Sequence, residues 1–186
     1  MLAIADSIDA GRIKARIGLV MANKADAKGL VMAKERGIET LVVPTKKKCP
    51  IEYEDDMVDA FRKHKVTLVC LAGYMRLVGF TMLEAFPNRI LNIHPALLPS
   101  FPGDHAHRDT LNHGVKISGC TVHLVDKDVD NGPIVVQKAV EVDDSDTEET
   151  LSARILKQEW VAYTEAINKV LSNDYEVVGR RFLLKG

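Results

Sequence analysis

Arg89-Ile90-Leu91-Asn92-Ile93-His94 runs straight into Pro95-Ala96-Leu97-Leu98-Pro99-Ser100-Phe101-Pro102-Gly103. An apolar run meets an Asn and a His at alternate positions, and the prolines that follow forbid a helix. Residues two apart in a strand point to the same face, so Asn92 and His94 project side by side from the carboxyl end of a strand. Open α/β sheets place their ligands at that end. An amide and an imidazole converging there form a catalytic pattern.

The rest of the chain supplies the sheet. Leu2, Ala5, Ile8 and Ile13 recur at helical spacing, which predicts a helix over 2–13. Ile17-Gly18-Leu19-Val20-Met21 reads as a buried parallel strand, followed by a helix over 27–36 that Gly37 closes. Leu41-Val42-Val43 is a second strand, 44–50 a loop, and 53–65 an amphipathic helix. Thr67–Ala72 is a third strand, 80–86 a helix, and 89–94 the fourth strand. Strands and helices alternating at this spacing imply right-handed crossovers and a mostly parallel sheet with helices on both faces. Ile117–Val125 and Ile134–Val142 lack room for a helix between them, so they pair antiparallel at the sheet's edge. Asp146-Thr147-Glu148-Glu149 opens a long helix to about Leu171, and a short strand follows near Phe182-Leu183-Leu184. The expected fold is α/β, in one domain over 1–186.

At 186 residues the chain can build one substantial core, and a net charge of −1 leaves no electrostatic footprint for nucleic acid. No apolar run is long enough to span a bilayer. Cys49, Cys70 and Cys120 are odd in number and never spaced as C-x-x-C. They point to a reduced, cytoplasmic protein without a disulfide framework or zinc site.

Beyond His94, the segment Asp126-Lys127-Asp128-Val129-Asp130-Asn131-Gly132-Pro133 is the second candidate. Asp126 and Asp128 read equally well as a solvated acidic turn. Behind Asp130, Asn131-Gly132-Pro133 fixes a tight turn. If that turn folds against the His94 strand, Asp130 pairs with the imidazolium and favours the proton-transfer form. His105, His107 and His123 lack the Cys or Glu partners of a metal site, so a structural or substrate-lining role is expected. Lys46-Lys47-Lys48 reads as a solvated surface run. Trp160, Tyr163 and Ile167 read as core, with Glu159 exposed or aimed at the cleft.

Ala22-Asn23-Lys24-Ala25-Asp26-Ala27, Ala72-Gly73-Tyr74-Met75-Arg76, Asn92 to Gly103, His105-Ala106-His107-Arg108, His123, Asp130-Asn131-Gly132-Pro133 and Gln158-Glu159 occur in order along the chain. Together they resemble the folate-dependent formyltransferase family, in the branch that acts on glycinamide ribonucleotide. The resemblance implies a Rossmann-like formyltransferase fold. It also implies formyl transfer from 10-formyltetrahydrofolate to the amine of glycinamide ribonucleotide in purine synthesis, without a metal. By matched position, Asn92, His94 and Asp130 are catalytic. Met75, Arg76, Leu77 and Val78, with Asn92 and the segment Asp126, Lys127, Asp128, Val129 and Asp130, bind folate. Gly73, Ile93, Pro95 and Glu159 meet the nucleotide. The implied partners are these small molecules alone, with a homodimer left open.

Two departures stand out. Family members begin with a strand and a Gly-rich turn whose amides cradle the substrate phosphate. Here Met1-Leu2-Ala3-Ile4 reads as the helix after that turn, so the domain is shortened at its N-terminus relative to the family. The loss of a central strand would leave two neighbours with unpaired edges. In the 45–50 loop, where the family often places a folate-contacting arginine, nothing is carried over. Two alternatives stay open: a formyltetrahydrofolate hydrolase, which shares the Asn, His and Asp, and a folate-binding inactive remnant.

Overall fold

The computed structural model describes residues 1–45 and 48–185. Lys46 and Lys47 of the lysine run lie outside the described residues. The helices are α1 (Leu2–Asp9), α2 (Lys28–Glu35), α3 (Pro50–Lys63), α4 (Phe80–Ala85), α5 (Ala106–Asn112) and α6 (Glu148–Leu171). The strands are β1 (Val20–Ala22), β2 (Thr40–Val42), β3 (Val69–Cys70), β4 (Ile90–His94), β5 (Ile117–Leu124), β6 (Ile134–Glu141), β7 (Tyr175–Val178) and β8 (Arg181–Leu184).

β1 pairs parallel with β2, and a second sheet runs in the order β3-β4-β5-β6-β8-β7. β3 and β4 are parallel, β5 and β6 are antiparallel as expected, and β5 also pairs antiparallel with β4. Among the described residues β1 pairs only with β2 and β3 only with β4. These are the two unpaired edges. The separation is one of hydrogen bonding, since Leu19 and Met21 pack into the same apolar cluster as Val69, Leu71 and Ile90.

That cluster, with Tyr53, Met57, Phe61 and Met82 of α3 and α4, covers one face. Leu91, Cys120, Val122 and Val136 meet Leu151, Ile155, Ala162, Ala166 and Val170 of α6 on the other. Tyr163 reaches in from α6, its hydroxyl donating to the carbonyls of Leu71 (2.7 Å) and Leu91 (3.1 Å), which ties the helix to adjacent strands.

Several boundaries differ from expectation. α1 stops at Asp9 rather than Ile13, because Gly11 at φ +69° turns the chain back and the Arg12 and Ile13 amides both bond to the Ser7 carbonyl. Ile13 is buried nonetheless. α3 starts three residues before Tyr53, at Pro50. The Cys49 thiol accepts the Glu52 amide and the Glu52 carboxylate accepts the Cys49 amide, a capping box with a sulfur in the usual hydroxyl's place. β3 is far shorter than 67–72, with a single neighbouring strand to extend it. α5 and β7 were not expected at all.

Candidate active site

Strand periodicity sorts the site. In the β4–β5 ladder Leu91 faces Leu124, Asn92 faces His123, Ile93 faces Val122 and His94 faces Thr121. Leu91, Ile93, Val122 and Leu124 point to α6. Asn92, His94, Thr121 and His123 therefore share the opposite face.

The loop that joins β5 to β6 closes over that face. Gly132 lies so close to the Leu124 carbonyl that no Cβ would fit, and the Leu124 amide bonds to the Pro133 carbonyl at 2.9 Å. This tight approach carries Asp130 to His94: Oδ2 lies 3.3 Å from Nδ1, and Oδ1 lies 3.7 Å from Nε2 of His123. Oδ2 also accepts the Gly103 amide at 2.9 Å. The other nitrogen of His94, Nε2, is 2.7 Å from the Phe101 carbonyl. A carbonyl and a carboxylate can only accept, so a ring with a proton on each nitrogen suits both neighbours.

His123 has a different partner set. Its Nδ1 lies 3.0 Å from the Leu124 carbonyl, and its Nε2 sits between Nδ2 of Asn92 at 3.3 Å and Oδ1 of Asp130 at 3.7 Å. The Asn92 amide thereby keeps one N–H for another acceptor. All three groups are sheltered: His94 is 4% exposed, His123 2%, and the Asp130 side chain 10%. The His123 ring, the Gly103 amide and the charge of His94 hold the Asp130 carboxyl down at about 2, against a desolvation that pushes it up. Asp130 and Phe101 both adopt left-handed backbone, φ +49° and +53°. Such conformations cost roughly 1–3 kcal/mol each and concentrate at functional sites.

The proline-rich loop is braced from β5 and β6. The buried Thr121 hydroxyl donates to the Ala96 carbonyl at 2.7 Å and accepts the Leu98 amide at 3.0 Å. Gln137 adds bonds from Nε2 to Thr121 Oγ1 and to the Leu98 carbonyl. Sequence reasoning did not single out Thr121, Gln137 or the Phe101 and Gly103 backbone groups. It weighed His123 as a metal ligand and favoured a structural or substrate-lining role, and the β4–β5 register is what places it opposite Asn92.

The remaining sequence candidates spread around this corner. Met75 and Leu77 stand 73% and 72% exposed on the loop after β3, with Arg76 over the Tyr53 ring at 5.4 Å. Val78 and Tyr74 of that loop, and Val125 at the root of the Asp126–Asp130 segment, pack against the same buried cluster. Asp126 is spent locally, accepting the Asp128 amide, while Lys127, Asp128 and Val129 are exposed. Gly73 is exposed at φ +68°, and Pro95 is half-buried. Ile93 packs on the α6 side of the sheet, and Glu159 lies on α6 itself. Glu159 is half-buried without a hydrogen bond or ion pair among the described residues, and desolvation raises its carboxyl. His107 on α5 is half-exposed, its ring pushed down by desolvation. Among the described residues no group of three or more His, Cys, Asp or Glu is placed to hold a metal, and no helix is long and apolar enough to cross a membrane.

A half-buried amide, two buried histidines and a depressed carboxylate can together stabilise a developing oxyanion and hold protons nearby. The chain is 48% identical over 119 residues to phosphoribosylglycinamide formyltransferase of Bacillus subtilis, covering 64% of this chain and 61% of that protein. It is 43% identical over 88% of its length to the trifunctional purine biosynthetic protein adenosine-3 of Gallus gallus, of which it spans 16%. It thus spans less than two thirds of these relatives. The crystal structure of glycinamide ribonucleotide transformylase 1 from Symbiobacterium toebii superposes with a TM-score of 0.96 at 45% identity, over 99% of this chain and 87% of that one. Residues 1–167 match the formyl transferase family, and the chain belongs to it.

Proposed function

We propose that this chain transfers the formyl group of 10-formyltetrahydrofolate to the primary amine of glycinamide ribonucleotide, a step of purine biosynthesis, without a metal. The observation that carries the proposal is the contact of Asp130 with His94, beside an Asn92 amide with an N–H to spare. Attack of the amine on the formyl carbon builds negative charge on the formyl oxygen; as that intermediate collapses, the carbon–nitrogen bond to the folate breaks and the proton lost by the amine passes to the departing folate nitrogen. Asn92 donates its remaining N–H to that oxygen, and the cationic His94 ring adds its field in a site shielded from water. Asp130 holds the ring in its doubly protonated form. For Nε2 to serve the reacting groups, the Phe101 carbonyl must yield it, a shift of the loop backbone.

The formyl donor carries the electrophilic carbon on the nitrogen between a fused pyrimidine-containing ring and a benzoyl ring, a long body with apolar faces and polar edges. Exposed Met75 and Leu77, with Arg76, Val78, Asn92 and the backbone of 126–130, suit such a body, since their loops pack against the same buried cluster. Gly73, Ile93 and Pro95 border the nucleotide at the end of β4. Glu159, a half-buried carboxyl without a partner among the described residues, fits as acceptor for ribose hydroxyls. We place the protein in the cytoplasm, where the free Cys49, Cys70 and Cys120 stay reduced.

The test is turnover of both substrates with separate detection of formylated amine and free formate. Formylated product supports the proposal. Formate released without amine would make the chain a hydrolase, and folate binding without either product would leave a silent remnant.

A further inference from the structure

Glu54 is a carboxylate buried on α3, 4% exposed, with no cation within ion-pair distance among the described residues. Burying an uncompensated charge is costly, so its partners matter. They are backbone amides at the start of α4: Oε1 accepts from Gly79, and Oε2 accepts from Met82 at 3.3 Å. Gly79 also ends the loop that begins at Gly73. A Cβ on Gly79 would stand 2.7 Å from Oε2 and 2.9 Å from Oε1, so the loop's backbone sits directly on the carboxylate. The neighbouring Tyr53 ring lies beneath Arg76, and Tyr74, raised to about 12 by burial first and by Tyr53 and Glu54 after it, packs beside them. One turn of α3 thus supports the loop at its middle and its end.

We propose that Glu54 is a positioning residue for the formyl donor: its carboxylate pins the end of the 73–79 loop, so that Met75, Arg76 and Leu77 stand preformed for binding. This rests on the assignment of that loop to the donor. Glu54 touches neither reacting atom, so its effect falls on donor affinity rather than on chemistry. A charge-assisted bond of this kind is the strong sort, and a neutral amide of the same size cannot replace both acceptors.

The experiment compares the full chain with Glu54→Gln and with Gly79→Ala, which disturbs the same contact from the loop side. Donor KM, kcat and amide hydrogen exchange are measured for each. The expected result in both variants is a donor KM raised about 10-fold, matching the loss of one such bond, with kcat within about two-fold. Exchange accelerates over 73–82 and stays unchanged in α6. An unchanged KM in a folded variant would overturn the proposal, as would a fall in kcat with faster exchange throughout. If the unmutated chain transfers no formyl group, the proposed function fails. The exchange arm then still decides the anchor: acceleration confined to 73–82 upholds it, and a uniform change overturns it.

Discussion

The two faces of β4 carry residues of alternating fate. Leu91 and Ile93 join Val122 and Leu124 against α6 in a packed apolar core, while Asn92 and His94 join Thr121 and His123 in a polar corner sheltered almost as well. On the apolar face neighbours can adjust, because packing has no direction. On the polar face each group has a named partner, since a buried polar atom without one costs far more than its bond returns. The same strand thus stores stability on one side and, in the proposed function, carries the chemistry on the other.

Substitutions of Asn92 and His94 on the polar face should break turnover while sparing the fold. His94→Ala is expected to lower kcat about 10³-fold, within the range for a positioned proton-transfer group. Asn92→Ala should cost about 10²-fold, the lower end for one lost oxyanion donor. Steady-state kinetics on folded variants checks both, and a near-normal rate in either refutes its role. Leu91→Ala, one residue away, should do the reverse. It should lose about 2–5 kcal/mol in chemical denaturation, with donor KM unchanged.

Thr121→Val sharpens the contrast, because it keeps the shape and strands the Leu98 amide and Ala96 carbonyl. About 1–3 kcal/mol of stability should go, and Thr121→Ser should recover most of it. The smallest effect concerns pH. Asp130 is lowered from 3.8 to about 2, so the stability it contributes is present above 3.8 and is lost as pH falls toward about 2. Denaturation of the chain and of Asp130→Asn across that window should show their difference shrinking toward acid. A constant difference would mean that the carboxylate's charge is not the source.

Much of this was legible in sequence because it follows from short-range rules. Period-two spacing placed Asn92 with His94, and Asn131-Gly132-Pro133 predicted the turn that delivers Asp130. Both rest on backbone geometry, which neighbours in sequence control. The partners that finish the site were not legible. His123 meets Asn92 only through strand register, and the Phe101 carbonyl and Gly103 amide carry no side-chain signal. α5 escaped notice because its buried positions, Ala106 and Thr110, are small or polar and leave no apolar stripe. The Cys49 cap was hidden by a residue type rarely found in that position.

The central claim is that the polar face of β4 performs formyl transfer through a charged His94 held by Asp130. Its most direct test is the rate of glycinamide ribonucleotide formylation by Asp130→Asn, with donor affinity measured alongside. The account predicts a fall of about 10²-fold in kcat with donor binding retained. A rate within about three-fold of the unmutated chain, well short of any general acid–base contribution, would contradict it.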